Sequence, residues 1–179
     1  MKIFLTILAF MVLAVVVLLD NVACVKNIAM TMGCQKNLKN THQQLYAFSE
    51  SNDEFPKTEF GHLDLAKILE SQGESNVESC LCLANKEMDC YLFRSGLVPK
   101  DLWPSGTFSD AGNTIIAVER NLNHAEMNGN FRTTGRFHIV VLLANGRTKM
   151  FTVTPEQHVG LLRRLERAEM IHIDNVFEE

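Results

Sequence analysis

Three thiols, Cys80, Cys82 and Cys90, cluster in the middle of the chain, and two imidazoles, His124 and His138, follow them. Thiolate and imidazole are the ligands of tetrahedral zinc, so Cys80-x-Cys82 with Cys90, and His124 or His138 as the fourth donor, form one candidate metal set. Cys-x-Cys is a poorer zinc signature than paired Cys-x-x-Cys. The usage of cysteine fits an oxidising compartment better, and there disulfides are the expected chemistry. Cys34, Cys80, Cys82 and Cys90 are therefore the disulfide candidates, with Cys34 joined to Cys80 or Cys82; no metal and no cofactor is expected. Such a bridge closes a loop of about 45 residues and stabilises by about 3 to 4 kcal/mol in the chain-entropy model. Cys80 and Cys82 are too close in sequence to pair with each other. Glu119 and His124 have the types of a general acid and base. No nucleophile or oxyanion signature accompanies them, and the chain is not expected to be an enzyme. His138 lies inside an apolar run, where a hydrogen-bonded structural histidine is the simpler reading.

Composition narrows the partners. The chain of 179 residues carries 17 Lys and Arg against 21 Asp and Glu, a formal net charge of −4. No basic stripe interleaves with aromatics, so nucleic acid is not an expected partner. Arg163, Arg164 and Arg167 make a basic trio, most simply a solvated helix face, with anionic lipid or an acidic neighbour as the alternative.

The amino-terminal segment is the strongest pattern. Ile3 to Leu19 is a run of 17 residues with Thr6 as its one polar position. A hydrocarbon core of about 30 Å needs roughly 17 to 25 apolar residues in a helix, which makes residues 1–20 the expected transmembrane helix. Val22, Val25, Ile28 and Met32 continue an apolar stripe, so residues 21–50 read as an amphipathic continuation of the same helix. Met30 and Met32 sit where the emerging helix packs on its neighbours. Two rivals are a cleaved signal peptide and, through Val22-Ala23-Cys24, a lipoprotein anchored at Cys24. The expected placement is the inner membrane, single-pass, with residues 51–179 as an extracytoplasmic globular head, and the membrane itself as a partner.

The head is large enough for one core. Ser49 to Pro56 ends the first helix, because a Pro forces its predecessor to be extended. Leu63, Leu65, Ile68 and Leu69 predict a short second helix ending near Gly73. Cys90 to Phe93 and Thr114 to Glu119 read as strands. Arg136 to Ala144 and Arg147 to Val153 read as two more, and Asn145-Gly146 between them predicts a type I′ hairpin. Thr154, Pro155 and Gln157 have the order of a capping box opening a last helix. Its Val159, Leu161, Leu162 and Leu165 are expected to face the sheet. The fold class expected is α+β: a long amino-terminal membrane-spanning helix continuing into a small head with an antiparallel sheet.

The stretch from Cys34 to Pro56 resembles the segment that follows the first helix in bacterial type IV pilin-like proteins and in pseudopilins of type II secretion systems. The second half resembles one branch of that family. Glu119, Asn123-His124, Gly135-Arg136 and Val140 to Gly146 stand where its heads carry an acidic strand residue, an Asn-His pair, a Gly-rich turn and a final apolar strand. The resemblance implies a structural subunit whose first helices pack together as the centre of a filament while the heads form its surface. It implies Phe4, Leu5, Ile7, Leu8, Phe10, Val12 and Leu13 as the assembly face, and other pilin-like subunits with the secretion or pilus assembly machinery as partners. A tethered periplasmic binding module without a filament is the competing reading.

The departures from the pattern are specific. With Phe4 aligned to the first residue of a mature pilin, Ile3 stands where the prepilin peptidase needs Gly, and Leu8 where most pilins have Glu. Asn145-Gly146-Arg147 replaces Asp-Gly-His. The resemblance thus implies a minor or divergent subunit, poorly processed and unable to build a filament alone.

Overall fold

A computed structural model describes residues 2–73, 90–102, 110–122, 124–127 and 133–177. Within the first helix, the side chains of residues 2–7, 9, 14, 16–24 and 27 lie outside the description. So do the whole of Cys80 and Cys82, and with them the expected pairing to Cys34.

One helix, α1 (Lys2–Ser49), opens the chain. It stops where the sequence turns polar, and local side chains satisfy its last carbonyls. The Ser49 hydroxyl donates to the Tyr46 carbonyl at 2.6 Å and the Asn52 amide to that of Phe48 at 2.9 Å, which replaces the bonds a helix end lacks. Phe55 then folds back, buried, with its ring centroid 5.9 Å from that of Phe48. A short helix α2 (Leu65–Ser71) follows, capped by Asp64, whose carboxylate accepts from the Lys67 N–H.

Among the described residues six antiparallel strands make one sheet: β1 (Tyr91–Phe93), β2 (Thr114–Glu119), β3 (His124–Met127), β4 (Thr133–Leu143), β5 (Thr148–Val153) and β6 (Ile171–His172). The long strand β4 organises it. One edge pairs with β5. The other pairs first with β3, from Thr133 to His138, and then with β2, from Val141 to Leu143. Likewise β1 and β6 share the far edge of β2.

The two faces of the sheet are covered by different helices. Val140, Leu142 and Ala144 belong to the core with Cys34, Leu38 and Leu45 of α1. Ile139, Val141, Leu143 and Val153 belong to the core with Leu161 and Leu165 of α3 (Pro155–Glu166). Alternation along a strand accounts for this division. In β2 a register shift between Ile115 and Ala117 breaks the alternation. Ile116 and Ala117 consequently both join the α1 core while Ile115 and Val118 join the α3 core, so all six residues of β2 are buried.

Helix α3 begins with the capping box expected of Thr154 and Gln157. Its inward face differs by one position from the expectation. His158, Leu161 and Leu165 are buried, whereas Val159 is 41% exposed. His158 is held inward because its Nε2–H donates to the Glu119 carbonyl at 2.7 Å.

Two further expectations are corrected. Among the described residues no helix is long and apolar enough to cross a membrane. The membrane-spanning reading of residues 1–20 and the single-pass inner-membrane placement therefore do not stand. The apolar run from Ile3 to Leu19 is 17 residues long and ends at Asp20-Asn21, with Lys26 following, short of the roughly 20 consecutive apolar residues a span requires. What the described residues build is a 48-residue helix on a six-stranded antiparallel sheet.

The turn at Asn145-Gly146 is the second. Leu142 pairs with Thr148, the Gly146 N–H donates to the Leu143 carbonyl, and the Leu143 N–H to that of Arg147. Only Gly146 in this turn has positive φ, at 79°. This is a three-residue loop, Ala144 to Gly146, closed by a left-handed glycine, not a two-residue type I′ turn. Asn145 keeps negative φ because it is buried and engaged: its N–H donates to the Gly112 carbonyl and its Oδ1 accepts from the Arg147 N–H.

Candidate functional site

The gap between β2 and β3 on the edge of β4 is the source of the site. Val118 is the last β2 residue paired with β4, opposite Val141, and His124 is the first of β3, opposite His138. Val140 lies between, paired with neither β2 nor β3. Its bond goes instead to Glu119, whose Oε2 accepts it at 2.9 Å. A buried donor must find an acceptor, and a carboxylate at the end of β2 supplies it.

The other oxygen, Oε1, lies 3.3 Å from Nε2 of His124. His124 faces α1 because it pairs with His138, which has the same parity on β4 as Val140 and Leu142. Helix α1 brings the third member. Thr31, Cys34, Leu38, Thr41, His42 and Leu45 form its buried stripe, spaced as one helical face. Cys34 Sγ, a Glu119 carboxylate oxygen and a His124 ring nitrogen all fall within 4.8 Å of one another. All three residues are completely buried. Tyr91, opposite Glu119 in the β1–β2 pair, donates from its hydroxyl to the Cys34 carbonyl at 3.4 Å.

Of the residues singled out in the sequence, Glu119 and His124 are thus brought together. Their enclosure, and that of Cys34, suits them poorly to attack an external substrate, since reactive cysteines sit in partly exposed electropositive surroundings. Cys90 is buried in the same core cluster as Cys34. His138 is half-buried and hydrogen-bonds the Thr152 hydroxyl through Nδ1 at 3.1 Å, as a structural histidine does. Arg163 and Arg167 are exposed, while Arg164 pairs with Glu169 at 2.9 Å and donates to the Val176 carbonyl. Cys34 was not foreseen beside Glu119 and His124. The signal was present in the stripe Thr31, Cys34, Leu38, His42, Leu45, which places Cys34 inward; which strand it meets is not a local property.

His42 is a further buried imidazole, one that the sequence reading passed over. It lies under the β4–β5 turn, its Nε2–H donating to the Ala144 carbonyl at 2.9 Å. Burial pushes its pKa below the ordinary 6.5, and the Ala144 contact only partly offsets this. The unfolded chain takes up a proton at His42 near pH 6.5 and the folded chain resists it, so its contribution to stability is complete above that pH and is lost as the pH falls. Urea unfolding at about pH 7.5 and about pH 5.5 should show the parent weakening more on acidification than His42→Gln; equal losses would remove His42 as the cause.

The first half of α1 is a different kind of surface. Every described side chain from Leu8 to Ala29 is exposed, and contact with the head starts at Met30 and Thr31. Leu8, Phe10, Met11, Val12, Leu13 and Val15 are all about half exposed or more, Phe10 reaching 69%. Of the expected assembly face, Leu8, Phe10, Val12 and Leu13 are exposed, and the side chains of Phe4, Leu5 and Ile7 lie outside the described residues. Met32 is exposed beside this arm, Met30 half-buried.

No protein-family model, curated protein or solved structure matches this chain.

Proposed function

We propose that this protein is a non-enzymatic structural subunit of the pilin-like or pseudopilin kind in a bacterial envelope assembly. In this reading the arm of α1 packs against the corresponding helices of other subunits, and the sheet with α3 forms the outer surface. One observation carries it: an arm of about 40 Å leaves the head with Phe10, Met11, Val12 and Leu13 exposed. Contiguous exposed apolar surface of this extent marks an interaction site. A helix apolar on several sides is stable when others of its kind surround it. The second half of α1 supports the same division of labour, since Cys34, Leu38 and Leu45 lock it into the head and would transmit load from arm to sheet.

The proposal is tested by photo-crosslinking in cells that co-produce a complete pseudopilus system. A benzophenone side chain replacing Phe10 should crosslink to another pilin-like subunit, identified by mass spectrometry, and one replacing the exposed Glu156 on α3 should not. Introducing charge with Phe10→Glu and Leu13→Glu should lower incorporation into the assembly by ~10-fold or more, since an unpaired charge in an apolar bundle costs several kcal/mol. Identical crosslinks from both positions, or full incorporation of the charged variant, would reject the reading.

A further inference from the structure

We infer that Cys34, Glu119 and His124 form a binding site for a divalent transition metal of the zinc class, a staple that fastens α1 to β2 and β3. The donor set is the first reason. One thiolate, one carboxylate and one imidazole suit zinc, whereas magnesium and calcium take oxygen ligands alone. Geometry is the second. With metal–ligand lengths of about 2.0 to 2.3 Å, the edges of a tetrahedral site are roughly 3.3 to 3.6 Å. Glu119 Oε1 and His124 Nε2 already stand 3.3 Å apart, and the whole set lies within 4.8 Å.

The surroundings hold the donors in place. Glu119 Oε2 is fixed by the Val140 N–H and the Glu119 carbonyl by His158, the kind of outer contact that orients a ligating carboxylate. Binding releases the thiol proton of Cys34 to solvent, and His124 ligates through Nε2 as a neutral imidazole that carries its one ring proton on Nδ1. Three protein donors leave the fourth position to a water. The site does not depend on the assembly proposal, and the failure of either leaves the other standing.

The full chain, refolded from denaturant under reducing conditions with Co²⁺ as the probe, should retain about one equivalent and show the visible bands of a four-coordinate ion with a thiolate charge-transfer band. Cys34→Ala and His124→Gln should each weaken retention by ~10-fold or more, while His172→Gln, away from the site, should not. Zn²⁺ should raise the unfolding midpoint of the parent and leave that of Cys34→Ala unchanged. X-ray absorption of the Zn²⁺ form, which needs no variant to fold, should find one sulfur among nitrogen and oxygen neighbours. Absence of metal after refolding overturns the inference, as does a shell with two or more sulfurs, which would assign the ion to other thiols.

Discussion

Glu119→Ala should unfold at a much lower urea concentration than the parent chain, with a loss of about 3 to 5 kcal/mol. The Val140 N–H is buried in the edge of β4 and its acceptor is the Glu119 carboxylate. Truncation strands that donor and removes the partner 3.3 Å from His124. It also opens a void in a strand whose residues are all buried. Against a total stability of about 5 to 15 kcal/mol for a domain, that is a large share. Glu119→Gln retains an amide oxygen for Val140 and should cost only about 1 to 2 kcal/mol. Chemical unfolding of the three chains in metal-free buffer separates these effects. An alanine variant as stable as the glutamine one would mean that the carboxylate does not complete the β4 edge.

The second large effect is expected at the β4–β5 turn. Gly146 has φ of +79°, and a Cβ placed on it would lie 2.7 Å from Nδ1 and 2.9 Å from Cε1 of His42. A methyl group there adds left-handed backbone strain of about 1 to 2 kcal/mol to an overpacking cost of about 1 to 3 kcal/mol. Gly146→Ala should thus lose about 2 to 5 kcal/mol overall. The two parts are separable. In a His42→Ala background the clash is gone and only the backbone term remains, so the cost of Gly146→Ala should fall by about 1 kcal/mol or more. If it is the same in both backgrounds, the turn is constrained by φ alone and α1 does not press on it.

Much of this chain is readable because it rests on neighbours in sequence. The end of α1 near Ser49, the cap at Thr154, and the strand from Thr114 to Glu119 all follow from capping, proline and β-branched patterns acting over a few residues. The β4–β5 hairpin was legible for the same reason, whereas the short strands β3 and β6 carry too little pattern to be read as strands. The membrane-spanning helix was not sustained, because a run of 17 residues stands at the lower limit of what can span and Asp20-Asn21 end it.

Short-range pattern therefore sets where elements begin and end, and it places Cys34 on an inward stripe with Thr31, Leu38 and Leu45. Tertiary structure alone decided what that stripe meets. That β2 and β3 share one edge of β4, leaving Val140 to be completed by Glu119, depends on strand order and on a bulge between Ile115 and Ala117. The Asn145-Gly146 turn took a three-residue loop because Asn145 is bound to Gly112 and His42 occupies the space beneath Gly146. Each of these contacts joins residues far apart in the chain. Their partners are chosen by the packing of a whole helix against a whole sheet, a choice that no short window of residues encodes.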